Sequence, residues 1–169
     1  KNTFRYFSEE LNHRASRRME VETDLRKALV QGQLELYYQP KVDCRTAEPV
    51  SMEALVRWNH PSRGMVHPGE FIRIAEESGL ILPLGDWVLK AACAQIATFA
   101  AQGLDMPVAV NISAQQFEQP DFSERVLEIV KAEKVKPGRL ELEITESMAM
   151  SDPGRALDHI RKLKRAGIR

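Results

Sequence analysis

Four short segments of the 169-residue chain alternate apolar and polar side chains: Leu34–Val42, Pro49–Trp58, Pro107–Ser113 and Arg139–Thr145. Strand side chains point alternately to opposite faces. One face of each segment is therefore apolar. The other gathers Tyr37 and Gln39, then Glu53, Leu55 and Arg57, then Asn111, then Glu141 and Glu143. Glu53, Asn111 and Glu143 offer two carboxylates and an amide oxygen, hard donors that suit Mg²⁺ or Mn²⁺ rather than zinc. Arg57 beside them suits a phosphate group. The pattern points to a divalent cation next to a phosphate.

The same residues have plainer readings. Glu53 can pair with Arg57 as a buried ion pair. Asn111 can cap or satisfy backbone groups. Glu141 fits a salt-bridged strand position, and Glu146 a helix cap or loop anchor. Met148 and Met150 read as loop packing. The histidines His13, His60, His67 and His159 lack metal-ligand spacing, and His60 and His67 fall at surface loops. No GxxxxGK[ST], HExxH, CxxC or GxSxG is present, so nucleoside-triphosphatase, zincin, thioredoxin and serine-hydrolase chemistry has no support.

The polar faces meet only if a sheet brings them together. Residues 1–30 read as an amphipathic helix built on Met19, Leu25, Ala28 and Leu29, stopped by Gly32. After the second strand, strands alternate with helices expected over 68–77, 84–101, 121–134 and 152–166. Residues 59–64 read as a turn-rich loop, and Pro137-Gly138 as a turn. Ser151 or Asp152 caps the last helix, with Pro153 at its first position. Ile168 looks like the start of a fifth strand. This alternation is the signature of a parallel sheet. A (β/α)₈ barrel needs about 250 residues; four strands in 34–169 make about half. The expected fold is α/β, the first half of a TIM-type barrel truncated at about the fifth strand and preceded by an N-terminal helix. In such a barrel the C-terminal strand ends form the active-site mouth, where Gln39, Glu53, Arg57, Asn111 and Glu143 converge.

Composition narrows the classes further. Twenty-four Lys+Arg balance 24 Asp+Glu, and 43% of residues are hydrophobic. Neutrality argues against a nucleic-acid polymer or a membrane surface as partner, and the apolar share supports a core. Two distant cysteines, Cys44 and Cys93, do not make a disulfide framework and fit a reducing compartment. No stretch is long and apolar enough for a membrane span. Lys1 and the ending at Ile168-Arg169 read as cut ends of a longer protein.

Glu53-Ala54-Leu55, followed by Val56-Arg57-Trp58, resembles the signature of EAL domains, the bacterial phosphodiesterases of cyclic di-GMP. Tyr37-Tyr38-Gln39-Pro40, Pro68-Gly69-Glu70-Phe71-Ile72, Ala75-Glu76-Glu77-Ser78-Gly79, Val110-Asn111-Ile112-Ser113 and Glu141-Leu142-Glu143-Ile144-Thr145-Glu146-Ser147 resemble its other blocks, in order. The resemblance covers residues 34–150 and implies a barrel that hydrolyses cyclic di-GMP to linear pGpG with Mg²⁺ or Mn²⁺. It implies metal ligation by Glu53, Asn111 and Glu143, with Glu53 and Glu143 catalytic. It implies substrate contacts from Gln39, Leu55 and Arg57, and a loop-steadying role for Glu146. The family's Asp-Asp-Phe-Gly-Thr-Gly motif, later lysine and last glutamate ligand have no counterpart in these residues. Three ligands cannot complete a two-metal clamp. The segment Phe4–Leu29 resembles the helix that links a GGDEF domain to an EAL domain. The division expected is a linker helix over 1–30 and a partial EAL domain over 31–169. An upstream GGDEF domain, a homodimer and a bacterial cytoplasmic location follow as expectations for the parent, which other domains could tether to a membrane. The alternative is a degenerate EAL domain that senses cyclic di-GMP or serves as an interaction module.

Overall fold

The computed structural model describes residues 9–169; the first part of the helix expected over 1–30, residues 1–8, lies outside them. Helix α1 (Glu9–Gln31) buries Val21, Leu25 and Ala28, spaced four and three residues apart on one face. Met19, expected on that apolar face, is exposed. Gly32, at φ +68°, ends the helix in the left-handed conformation glycine tolerates. The buried face packs with Trp58, Val66, Phe71 and Ala75 in one of two hydrophobic clusters.

Strands β1 (Leu34–Val42) and β2 (Pro49–His60) pair antiparallel, with Gln39 opposite Glu53 and Tyr37 opposite Leu55. Only residues 43–48 join them, too few for the crossover that parallel strands require. The carboxylate of Asp43 accepts the backbone N–H groups of Arg45 and Thr46 at 2.8 and 2.9 Å, and these bonds hold its pKa below the usual value.

The expected loop over residues 59–64 is instead the turn of a hairpin. β2 runs on to His60, and β3 (Gly64–Val66) returns against it. His60, expected at the surface, is buried. Its Nδ1 accepts the backbone N–H groups of Ser62 and Arg63, both at 3.2 Å, so Nε2 carries the proton and donates to Asp24 of α1 at 3.2 Å.

The next two pairings are parallel and have helical crossovers. Helices α2 (Pro68–Ser78) and α3 (Ile81–Ala101) lead to β4 (Val108–Asn111), beside β2. Helix α3 begins earlier than the Leu84 expected, because Pro83 sits in its first turn, where no N–H is needed. Helices α4 (Ala114–Phe117) and α5 (Phe122–Ala132) and a 3₁₀ turn at Pro137–Arg139 lead to β5 (Leu140–Glu143), beside β4. The sheet order is β1-β2-β4-β5, with β3 on β2. Helices α6 (Glu146–Ser151) and α7 (Pro153–Arg165) follow. Asp152 caps α7 by accepting the Arg155 N–H at 3.1 Å. Ile168 joins the core at 2% exposure. Arg169 exchanges backbone bonds with Leu140 and Leu142, so the chain begins to pair along β5 where a further strand was expected.

Ala54, Val108, Val110, Ile112 and Leu140 pack under α3, α5 and α7 in the second cluster. Cys93 is buried there and Cys44 is exposed; both are free. Burial pushes the Cys93 thiol up to about 12, which makes it an inert core residue.

His159 of α7 is 2% exposed and faces the Phe117 and Phe122 rings. Ser123 donates its hydroxyl proton to Glu124 at 2.9 Å and accepts from His159 Nδ1 at 3.0 Å. Nε2 is left buried without a partner. Burial holds this imidazole below its usual pKa; Glu124 opposes that shift, and Lys162 and Arg155 add to it. A depressed histidine contributes stability above its unfolded pKa of about 6.5 that is lost as pH falls through the folded value. The urea midpoint is expected to fall between pH 7.5 and 5.5, and His159→Gln is expected to flatten that slope. An unchanged slope in the variant would assign the pH dependence elsewhere.

Candidate active site

The polar face of the sheet is concave. In a flat sheet β1 and β5 would lie about 14 Å apart, three strand spacings. Yet Lys41 Nζ of β1 sits 2.6 Å from Glu143 Oε1 and 3.8 Å from Glu141 Oε2 of β5. The sheet therefore curls toward its polar side, as the wall of a barrel does.

Five of the expected residues share this concave face, from four strands. Glu53 of β2 accepts the Asn111 side-chain amide at 2.7 Å. Glu143 stands opposite Asn111 in the β4–β5 register. Gln39 is exposed and stands opposite Glu53. It arrives there through the antiparallel register, not from a shared C-terminal rim, since β1 runs opposite to β2, β4 and β5. Leu55 is half-buried on the same face.

The ion pair between Glu53 and Arg57 is not formed. Glu53 bonds Asn111 instead, while Arg57 donates to its neighbour's carbonyl, Val56 O, at 2.9 Å. The guanidinium lies 5.5 Å from the Tyr37 ring centroid, a cation–π distance. Among the described residues Arg57 joins no ion pair, so its charge is available to an anion. Glu141 is the salt-bridged residue expected, taking Arg169 at 3.1 Å. Glu146 is exposed in the first turn of α6, where a negative charge complements the helix dipole. The segment expected as a loop is thus helical. Met148 packs inward, and Met150 is 68% exposed.

Lys41 was not among the expected residues. It shares strand parity with Tyr37 and Gln39, the signal that could have found it. The hydrogen bond to Glu143, with the nearby charges of Glu143, Glu141 and Glu53, raises its pKa.

The donor chemistry fits a hard divalent cation. Asn111 spends its NH₂ on Glu53 and keeps its carbonyl oxygen; Glu53 and Glu143 each keep a second carboxylate oxygen. Waters usually complete such a shell. Among the described residues no group of three or more His, Cys, Asp or Glu gathers as a metal site, on this face or off it, so the donor set here is two carboxylates with one amide oxygen.

The segment after β4 is braced from behind. Ser113 and Gln116 form a reciprocal capping box at the start of α4, which the Ser-Ala-Gln-Gln spelling encodes. A Cβ at Gly85 of α3 would overlap the buried Gln116 amide, so this glycine makes room for the brace. Beside it a cavity of about 270 Å³ opens among Leu55, Pro68, Ile72, Glu76, Asn111 and Ser113.

The EAL domain family model matches residues 22–169. The chain belongs to the EAL domain family. It is 37% identical over 169 residues to the bifunctional diguanylate cyclase/cyclic di-GMP phosphodiesterase MucR of Pseudomonas aeruginosa, covering 99% of this chain and 25% of that protein. It is 38% identical over 164 residues to the cyclic di-GMP phosphodiesterase PdeR of Escherichia coli K12, covering 97% and 25%. Its fold matches the solved PaMucR phosphodiesterase in complex with c-di-GMP, at a TM-score of 0.84 and 39% identity over 88% of this chain and 61% of that one. The EAL enzyme Bd1971 with cAMP and cyclic di-GMP bound matches at a TM-score of 0.81 and 27% identity, over 91% of this chain and 43% of that one. The chain thus spans a quarter of the curated relatives and about three fifths of the solved PaMucR domain. The mixed sheet, parallel after its first strands, is that part of the EAL barrel-like fold. No helix among the described residues is long and apolar enough to cross a membrane.

Proposed function

We propose that this EAL chain is part of a phosphodiesterase that hydrolyses cyclic di-GMP to pGpG with Mg²⁺ or Mn²⁺. The observation that carries the reading is the grouping of Glu53, Asn111 and Glu143 on three adjacent strands, with Arg57, which joins no ion pair among the described residues, on the same face. In this reading Glu53, Asn111 and Glu143 hold the metal. A bound divalent ion supplies charge for the phosphate and acidifies a bound water.

This chain's own residues do the rest. Arg57 takes a non-bridging phosphate oxygen and is kept in place by Tyr37 and Val56 O. Asn111 fixes the Glu53 carboxylate, so its free oxygen is aimed before substrate arrives. Gln39 and Leu55 line the approach, one polar and one apolar, and contact the nucleotide. Glu146 steadies the loop after the following strand. The parent is further proposed to be a bacterial cytoplasmic homodimer, with α1 linking an upstream GGDEF domain to the EAL barrel.

The test is cyclic di-GMP turnover by the full-length protein. Hydrolysis to pGpG is expected with Mg²⁺ or Mn²⁺, to vanish with a chelator and to return when the ion is restored. Tight binding of cyclic di-GMP with no pGpG under any divalent ion would replace the enzyme by a sensor.

A further inference from the structure

Lys41 is seated among the carboxylates of the concave face. It enters from the far rim: β1 is antiparallel, and Lys41 lies opposite Ser51, two residues before Glu53 on β2. Its side chain must run across the curled sheet to reach β5. The β4 residue on its way is Ala109, which stands between Glu53 and Glu141 in the register and has no side chain beyond Cβ to block the path. The ammonium ends 2.6 Å from Glu143 and 3.8 Å from Glu141.

Three like charges, Glu53, Glu141 and Glu143, share this concavity, and like charges at short range repel. Asn111 relieves Glu53 only by one hydrogen bond, and Arg169 reaches Glu141 alone. Glu143 has no other cationic partner among the described residues. A divalent ion on Glu143 would seek the same oxygen that Lys41 holds. Ammonium and metal there repel each other, so they exchange rather than coexist.

We propose that Lys41 is a resident counter-cation of this carboxylate cluster, a positioning residue whose ammonium a divalent ion must displace from Glu143. The inference rests on the reading that Glu53, Asn111 and Glu143 hold the metal. Lys41 keeps Glu143 turned into the concavity before the ion binds, and its withdrawal is a cost that weakens metal affinity.

The test measures Mn²⁺ binding to the full-length protein by the loss of the free-ion EPR signal. Lys41→Met is expected to bind Mn²⁺ about tenfold more tightly than wild type, since a neighbouring positive charge is removed. Lys41→Arg, which keeps the charge, is expected to stay near wild type. Without metal, Lys41→Met is expected to melt lower than wild type and to gain more from added Mn²⁺; Lys41→Gln repeats the comparison should the methionine variant not fold. Equal or weaker Mn²⁺ binding by the neutral variants, or no Mn²⁺ binding by any form, overturns the proposal. Absence of cyclic di-GMP turnover with the expected order of Mn²⁺ affinities would instead remove the phosphodiesterase reading and leave this one standing.

Discussion

Glu53→Gln in the full-length protein is expected to lower cyclic di-GMP turnover by at least about a hundredfold, the upper end of what loss of even an outer-shell metal partner costs. Glutamine keeps the size of the side chain and an oxygen to accept the Asn111 amide, whose bond to Glu53 measures 2.7 Å. The local packing therefore survives, and what is lost is one negative charge. A neutral amide oxygen holds Mg²⁺ or Mn²⁺ more weakly than a carboxylate, because these hard cations are bound by charge as much as by geometry. Part of the loss should return at high Mg²⁺, which separates a metal-holding role from a proton-transfer one. Glu141→Gln is the internal control. Glu141 lies on the same face but spends itself on Arg169 at 3.1 Å, and its turnover should stay within about threefold of wild type, as for a half-exposed ion pair. Full turnover in Glu53→Gln, or equal losses in the two variants, would remove Glu53 from its proposed place.

The contrast between Glu53 and Glu141 shows what alternation along one strand reveals and what it hides. Period-two spacing puts Glu53, Asn111 and Glu143 on one face, because parity depends only on counting along each strand. It cannot distinguish Glu141 from Glu143, which have the same parity. The parallel register does that, by setting Asn111 opposite Glu143 and Ala109 opposite Glu141. The direction of β1 is a similar case. The short link over 43–48 marks a hairpin, so the antiparallel pairing was within reach of the sequence. The consequence, that Lys41 crosses the concavity to Glu143, depends on how far the sheet curls, which no local pattern encodes. His60 was hidden for the opposite reason. Pro61, Ser62 and Gly64 are strong turn residues, and they mask the pairing of their flanks that buries the ring against Asp24. The capping box at Ser113–Gln116, by contrast, is spelled in the chain and needs only to be read.

Trp58→Ala is expected to be the most destabilising single change, costing about 3–5 kcal/mol, the range for deleting a fully buried large aromatic. Trp58 is 0% exposed on the helix side of β2. Its ring meets Phe71 edge-on at 5.6 Å and 86°, and His60 at 5.1 Å and 62°. Its Nε1–H donates to Gln33 at 3.2 Å. Val21 and Leu25 of α1 share that cluster, while the remaining ties of α1 to α2 include exposed ion pairs such as Arg17–Glu70 and Arg18–Glu77, each worth at most about 1 kcal/mol. The cavity left by alanine should therefore release α1 before the rest of the fold. Amide exchange in Val21–Ala28 should quicken more than in β4 and β5, whose core lies in the second cluster. Trp58→Phe, which keeps most of the ring and loses the hydrogen bond, should cost closer to about 1 kcal/mol plus the smaller void. Equal acceleration of exchange in α1 and in β4 would mean that the two clusters open as one unit. A loss below about 1 kcal/mol for the alanine variant would mean that α1 is anchored by something other than this ring, since a well-packed site that cannot collapse does not give up a tryptophan so cheaply. Arg57 is the next residue back, on the opposite face of the same strand. Loosening at Trp58 should therefore reach the site as weaker phosphate binding, raising KM before it lowers kcat.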